Sequence, residues 1–189
     1  MVRIGVLGAG TWGMALARML ANMQYSVTVW SALEREVDEY SRTRRHPNLP
    51  GMVIPDSIVF TGNAEEACTD KDILLFAVPS VFVRSTARTA APCIPDGQVI
   101  VDVAKGIEPV TLFTLTQVIG DELSKDGKHD NVKLVALSGP THAEEVAIDL
   151  PTTIVASCSD MKTAEYVQKI FMNDVMRVYT NDDVLGIEL

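Results

Sequence analysis

Residues 1–20 read MVRIGVLGAGTWGMALARML, an apolar run that breaks at three glycines and then resumes with helical spacing. Residues 2–8 have the length and apolar character of a buried strand, and residues 11–23 have the apolar periodicity of a helix. Gly8, Gly10 and Gly13 separate the two in the order G-x-G-x-x-G. A strand that turns directly into a helix is the first unit of an α/β sheet, so this stretch predicts the fold class.

The chain continues to alternate strand-length apolar runs with helical segments. Further strands are predicted at 25–30, 58–61, 72–78, 98–104 and 132–138, and helices at 34–42, 81–91 and 111–124. Three prolines predict a loop over 46–57, and the polar residues 124–131 predict a solvated turn. This alternation predicts an α/β fold built on a Rossmann-like, doubly wound parallel sheet.

The pattern of predicted strands and helices changes after Gly139. A helix is expected near 142–148, followed by a strand at 152–157, a helix at 161–172 and a strand at 176–180. We expect these two strands to extend the sheet at its edge as an added β-α-β segment. Because no repeat, low-complexity tract or flexible linker interrupts 1–189, a single domain is expected.

Composition excludes several classes of partner. Sixteen lysines and arginines against 25 aspartates and glutamates give a net charge of −9, which disfavours nucleic acid and anionic membranes. The cysteines at 68, 93 and 158 form no C-x-x-C pattern, so we expect neither a disulfide framework nor a metal site. The N-terminal apolar stretch is too short to insert stably in a membrane. A reducing, cytoplasmic location fits these features.

The glycine pattern has a physical explanation at each position. Gly8 permits a tight turn, Gly10 lets a pyrophosphate approach the backbone, and Gly13 lets the helix pack closely on the strand. Thr11 and Trp12 then lie where they can touch a dinucleotide at the helix N-terminus. A glycine turn that binds nothing is the alternative, but the strand-turn-helix context favours NAD or NADP as cofactor.

The choice between the two cofactors is left open by the sequence. The second strand ends near Ser31, which we expect to contact the cofactor, and neither Ser31 nor Ala32 is charged. An acid there would favour NAD, and an arginine would favour NADP. Glu34 and Arg35 lie one helical turn further on and are compatible with either cofactor or with a solvated helix face.

The stretch GAGTWGMALA (8–17) resembles the bacterial NAD(P)-dependent glycerol-3-phosphate dehydrogenases. The likeness continues in later segments: HPNLPG (46–51), FAVPSVFVR (76–84), KGIE (105–108), SGPTHAEEVA with PTTIVAS (138–157) and MRVYTNDDVLGIEL (176–189). The departure is at Ala32, where many relatives carry a basic residue, so this position leaves the cofactor preference undecided.

The resemblance implies hydride transfer between a nicotinamide and the carbon that links dihydroxyacetone phosphate to sn-glycerol 3-phosphate. Lys105 follows a strand, and a cation there stabilises the negative charge that grows on a ketone oxygen. A surface lysine after a strand is common, but the adjoining Gly106 and the match of KGIE to the family pattern favour a catalytic Lys105 that contacts both cofactor and substrate. The resemblance assigns Gly139 and Thr141 to the substrate and Ala143 to the cofactor.

Three further residues lie near these positions. Pro79 and Phe82 follow a strand, where the turn is expected to pass beneath the nicotinamide or its ribose, although Phe82 fits equally well in an ordinary core. A general-base role for His142 is not implied by the resemblance, and a loop histidine more often only hydrogen-bonds its surroundings.

The resemblance also implies parts outside this sequence. An all-helical second domain, with a proton-accepting lysine and a phosphate-binding arginine, is expected beyond Leu189. The full-length enzyme would supply glycerophospholipid synthesis, and a homodimer is compatible with it. Two alternatives remain: a non-catalytic NAD(P)-sensing module, and another two-domain reductase such as a hydroxyacid or ketopantoate reductase relative. The joint presence of KGIE and SGPTHAEEVA argues against the second alternative.

Overall fold

A single eight-stranded sheet organises the protein, whose computed structural model describes residues 1–189. Its strands are β1 (Arg3–Leu7), β2 (Ser26–Trp30), β3 (Val59–Thr61), β4 (Ile73–Phe76), β5 (Val99–Asp102), β6 (Lys133–Ser138), β7 (Thr152–Ser157) and β8 (Met176–Asn181). The spatial order is β3-β2-β1-β4-β5-β6-β7-β8. The first six strands are parallel, which confirms the doubly wound sheet.

The order of the strands reverses between β1 and β4. The chain first moves outward from β1 to β3, then returns and continues from β4 in the opposite direction. Helices that follow the two central strands therefore diverge to opposite faces and leave a crevice at the carboxyl ends of β1 and β4. Ligands of open α/β sheets bind at this switch point.

The predicted edge segment is also present. β7 pairs antiparallel with β6, with Leu137 opposite Ala156, and β8 then pairs parallel with β7 along six residue pairs. The sheet is therefore mixed at this edge, and the β-α-β unit adds two strands to the parallel core.

Eight α-helices connect or follow the strands. They are α1 (Thr11–Asn22), α2 (Glu34–Thr43), α3 (Ala64–Cys68), α4 (Val83–Ala90), α5 (Leu115–Leu123), α6 (Ala143–Val146), α7 (Met161–Phe171) and α8 (Val184–Glu188). α5 begins at Leu115 instead of the predicted 111, because Leu112 has a φ of +59° and Thr114 forms a capping box with Gln117. α3 and α8, five residues each, were not predicted. No helix is long and apolar enough to cross a bilayer.

Side chains from alternate strand positions form a core on each face of the sheet. In β4, Ile73 and Leu75 pack into one apolar cluster, and Leu74 and Phe76 into the other. All four are fully buried, as expected for a strand covered on both sides. The two cores hold the central strands rigidly and so fix the crevice at their ends.

The prediction of a solvated turn over 124–131 is wrong at His129. Its imidazole is buried, with Nδ1 2.9 Å from Asp126 Oδ1 and Nε2 2.9 Å from the Ile94 carbonyl oxygen. The polar sequence hid this burial because the Ile94 carbonyl, which is the partner of Nε2, lies 35 residues away in sequence.

Candidate functional site

The glycine turn joins β1 to α1, and its three glycines have different surroundings. Gly8 has a φ of +122°, and a Cβ there would lie 2.6 Å from the Ala77 carbonyl oxygen. A Cβ on Gly13 would overlap the Gly8 carbonyl oxygen. Around Gly10, by contrast, a Cβ would meet no atom within 4 Å. Gly8 and Gly13 are therefore required by the fold itself, whereas the space beside Gly10 is open for a ligand.

Gly10 is also the N-cap of α1, a helix of 12 residues. No side chain caps this N-terminus, and no acidic residue lies in its first turn. The unpaired N–H groups and the positive end of the helix dipole therefore face the crevice without a competing anion from the chain. This environment fits the pyrophosphate of a dinucleotide.

The crevice has two parts that meet at Gly10, Ala77, Val78 and Pro79. One part, the lysine-side crevice, has a volume of about 500 Å³. Of the residues predicted from the sequence, it is lined by Gly10, Thr11, Trp12, Pro79, Lys105, Thr141 and Ala143. The other part, the serine-side crevice, has a volume of about 650 Å³ and is lined by Gly8, Gly10, Ser31, Pro79 and Phe82. Both volumes are in the range of small-molecule sites.

Lys105 stands just beyond the carboxyl end of β5. Its Nζ donates a hydrogen bond to the Gly139 carbonyl oxygen, 2.9 Å away, and the side chain is otherwise exposed. An ammonium has three N–H donors, so this bond orients the group and leaves two for a ligand. Gly139 itself does not line the crevice. Its carbonyl oxygen contributes to the site by accepting the hydrogen bond that orients the Lys105 ammonium.

The loop that carries Lys105 is tied to the helix after β4. Arg84, in α4, donates from Nε to Glu108 Oε1 at 2.6 Å and from Nη2 to Glu108 Oε2 at 2.7 Å. Arg84 also pairs with Asp121 and Glu122 of α5. These hydrogen bonds from Arg84 lower the pKa of Glu108 to about 2, which keeps the pair ionised.

The loop 46–51 supports the glycine turn from behind. His46 is buried beside the backbone of Ala9, and its ring is tilted by 41° to that of Tyr40, with 5.1 Å between the centroids. Its Nδ1 accepts a hydrogen bond from the Asn48 N–H at 3.2 Å. Burial lowers the pKa of His46, and the accepted hydrogen bond requires an unprotonated Nδ1.

The serine-side crevice contains a residue that sequence reasoning missed. Glu36 lines it, whereas Glu34 and Arg35 are exposed and do not. Glu36 is the third residue of α2, a position whose side chain points back toward the helix start. Its place as the third residue of the predicted helix is the sequence signal by which Glu36 could have been identified. Ser80 and Glu144 also line the lysine-side crevice, together with His142.

Comparison with known sequences decides the family. The sequence profile described as the N-terminus of the NAD-dependent glycerol-3-phosphate dehydrogenases matches residues 3–164. The chain belongs to this family. Its place in the glycerol-3-phosphate dehydrogenase family agrees with the motif resemblance at 8–17 and in the later segments.

Individual glycerol-3-phosphate dehydrogenases match the whole chain. It is 74% identical over 189 residues to glycerol-3-phosphate dehydrogenase [NAD(P)+] 2 of Lactobacillus delbrueckii subsp. bulgaricus, and 50% identical over 190 residues to an enzyme of the same type from Agathobacter rectalis. The crystal structure of glycerol-3-phosphate dehydrogenase from Coxiella burnetii superposes with a TM-score of 0.90 at 28% identity, over 99% of this chain and 56% of that one.

All of this chain is matched, but it spans about half the length of the curated glycerol-3-phosphate dehydrogenases: 56% of the L. delbrueckii enzyme and 55% of the A. rectalis enzyme. By its description, the matching profile covers the N-terminus of the NAD-dependent glycerol-3-phosphate dehydrogenases. The crevice described above lies within this half.

Proposed function

We propose that residues 1–189 are the cofactor-binding half of a glycerol-3-phosphate dehydrogenase, which interconverts dihydroxyacetone phosphate and sn-glycerol 3-phosphate with NAD(H) or NADP(H). The observation that carries this proposal is the position of Lys105 in the same crevice as the open turn at Gly10. The crevice thereby combines a place for a dinucleotide phosphate with a cation for a ketone oxygen.

The cofactor is proposed to extend along both parts of the crevice. The pyrophosphate lies against the N-terminus of α1, the adenosine end in the serine-side crevice, and the nicotinamide in the lysine-side crevice. Gly13 supports the turn from beneath. We assign contacts with the cofactor to Gly8, Gly10, Thr11, Trp12, Ser31, Pro79, Phe82, Lys105 and Ala143.

Lys105 is the proposed catalytic residue. The reduced cofactor, when bound, supplies a hydride to the ketone carbon. Lys105 donates a hydrogen bond to the ketone oxygen, and this bond strengthens as negative charge develops there, so it stabilises the transition state more than the ground state. The Gly139 carbonyl holds the Lys105 ammonium in place, and Thr141 lies in the same crevice for contact with the substrate.

A phosphorylated substrate needs more positive charge than this half provides. Lys105 is the single lysine or arginine that lines the lysine-side crevice. A phosphate monoester carries about two negative charges at neutral pH. We therefore propose that the part of the longer relatives not matched by this chain supplies a phosphate-binding arginine and the proton-transferring lysine.

The proposal extends to the setting of the full enzyme. The product sn-glycerol 3-phosphate is a precursor of glycerophospholipids, and we assign the enzyme to their synthesis in the cytoplasm; a homodimer is compatible with this assignment. The three cysteines, all present as free thiols, support the reducing, cytoplasmic location.

Two assays test the proposal. Titration of NADH and NADPH fluorescence should show saturable binding to residues 1–189, and Gly10→Val should abolish it; no binding of either cofactor would disprove the cofactor role. For turnover, residues 1–189 are placed in the L. delbrueckii relative in exchange for its matched half. This chimera should oxidise NADH with dihydroxyacetone phosphate, whereas the short chain should show negligible turnover. An inert but well-folded chimera that binds NADH would favour the sensing module instead.

A further inference from the structure

The end of β2 holds a carboxylate at the wall of the serine-side crevice. Ser31 is buried, and its Oγ donates a hydrogen bond to Glu36 Oε2 at 2.5 Å. The same Oγ accepts a hydrogen bond from the Leu33 N–H at 3.1 Å. With its acceptor role used by the backbone, the Ser31 hydroxyl directs its proton to Glu36. The half-buried Glu36 side chain is therefore fixed, and its Oε1 remains for a ligand.

No positively charged side chain in the serine-side crevice balances the Glu36 carboxylate. None of the residues that line the serine-side crevice is a lysine or arginine. Ala32 and Leu33, which follow Ser31 directly, are uncharged, and Arg35 lies on the exposed side of α2. A ligand that enters this part of the crevice therefore meets one negative charge and no positive one.

We propose that Glu36, held by Ser31, makes this site select the unphosphorylated cofactor, NAD(H), over NADP(H). This inference rests on the proposed function and on the adenosine end of the cofactor occupying the serine-side crevice. A ribose 2′-hydroxyl can donate a hydrogen bond to Glu36 Oε1. A 2′-phosphate brings up to two further negative charges and only acceptor oxygens to the same carboxylate, so it is repelled.

This arrangement differs from the usual one, in which the acid stands directly at the end of the second strand. Here the strand ends in a serine, and the acid comes from the first turn of α2, five residues later. Glu36 is thus a specificity residue, and Ser31 is a positioning residue that acts through it.

The test uses ligands without a nicotinamide, ADP-ribose and ADP-ribose 2′-phosphate, with binding to residues 1–189 measured by calorimetry. ADP-ribose should bind at least about tenfold more tightly. Glu36→Gln keeps a group that accepts from Ser31 but removes the charge, so it should reduce this preference at least about fivefold, mainly through tighter binding of the 2′-phosphate. Glu34→Gln, the same change of charge on an exposed neighbour, should leave the preference unchanged.

NADH and NADPH titrations with the same variants distinguish a failure of the proposed function from a failure of the role assigned to Glu36. Failure of both cofactors to bind disproves the proposed function and this inference with it. Binding of both cofactors with equal affinity, or equal effects of Glu36→Gln and Glu34→Gln, overturns the role of Glu36 alone. Ser31→Ala should shift the preference in the same direction as Glu36→Gln, and an unchanged preference would overturn the positioning role of Ser31.

Discussion

Arg84 and Glu108 form a two-pronged ion pair that joins the first turn of α4 to the loop after β5. Both side chains are about four-fifths buried. Glu108 is three residues beyond Lys105, so the pair anchors the loop that presents the ammonium to the crevice. The two segments, 76–84 and 105–108, are far apart in sequence but form one structural unit.

Loss of this anchor should impair catalysis more than cofactor binding. In the chimeric full-length enzyme, Arg84→Ala is expected to lower kcat about tenfold, because a displaced Lys105 no longer meets the ketone oxygen correctly. The Kd for NADH should change less than about twofold. Arg84→Lys, which keeps one hydrogen bond to Glu108, should recover part of the loss.

Arg88→Ala provides the matched control for Arg84. Arg88 lies on the same helix and pairs with Glu122, but it makes no contact with Glu108. Its removal should leave kcat close to that of the parent chimera. Equal losses of kcat in both variants would show that the network stabilises α4 and α5 without positioning Lys105.

Gly10 and Gly13 should respond to substitution in opposite ways. Asparagine at position 10 is a favourable N-cap and meets open space, so Gly10→Asn should keep the Tm of the parent while it blocks NADH binding. Gly13→Ala should lower the Tm, because its Cβ overlaps the Gly8 carbonyl. Thermal unfolding and NADH fluorescence on both variants check this. Normal NADH binding by folded Gly10→Asn would place the pyrophosphate elsewhere.

Lys105 should be needed for turnover and dispensable for cofactor affinity. In the chimera, Lys105→Ala is expected to lower kcat about 10²- to 10³-fold, the usual cost of removing a donor to a developing oxyanion. The Kd for NADH should remain largely intact. The exposed Lys128 is a suitable control, since Lys128→Ala removes the same charge outside the crevice. A kcat unaffected by Lys105→Ala would exclude the proposed role.

His129 should make folding less favourable as the pH rises. Burial opposes its charge, but hydrogen bonds to Asp126 and to the Ile94 carbonyl outweigh burial and raise the pKa of His129. A raised pKa in the folded state adds stability that is complete below the unfolded pKa of about 6.5 and is lost as the pH passes the folded pKa. Urea unfolding of the parent and His129→Gln between pH 5.5 and 8.5 should show this loss in the parent alone.

His46 should have the opposite dependence. Because burial lowers its pKa in the folded state, the unfolded chain takes up a proton first as the pH falls below about 6.5. Stability contributed by the neutral imidazole is therefore present above that pH and decreases toward the lower, folded pKa. In the His46→Gln variant this acid-side decrease should be absent. A decrease that persists unchanged would assign it to other groups.

Sequence periodicity identified the sheet and the crevice because both depend on local patterns. The apolar strands and the G-x-G-x-x-G turn determine where β1 ends and α1 begins, and the KGIE resemblance, more than its place after a strand, indicated Lys105. Pairings between distant residues leave no such pattern. The burial of His129 depends on the Ile94 carbonyl, and the place of Glu36 depends on the direction of α2 relative to β2. Short helices such as α3 contain too few residues to show a period.

The antiparallel pairing of β6 and β7 separates the loop 139–151 from the parallel strands that carry the glycine turn. Because β7 returns antiparallel beside β6, residues 139–151 leave and re-enter the sheet at the same end and never cross one of its faces. The Arg18 guanidinium holds this loop to α1 through Asp149, with two hydrogen bonds of 2.8 Å. The exposed part of this loop can therefore change in length without altering the register of the parallel strands, whereas Val146 and Ala147 are buried in the core. The residues of this loop that line the lysine-side crevice are therefore separate from the strand pairs that carry the glycine turn.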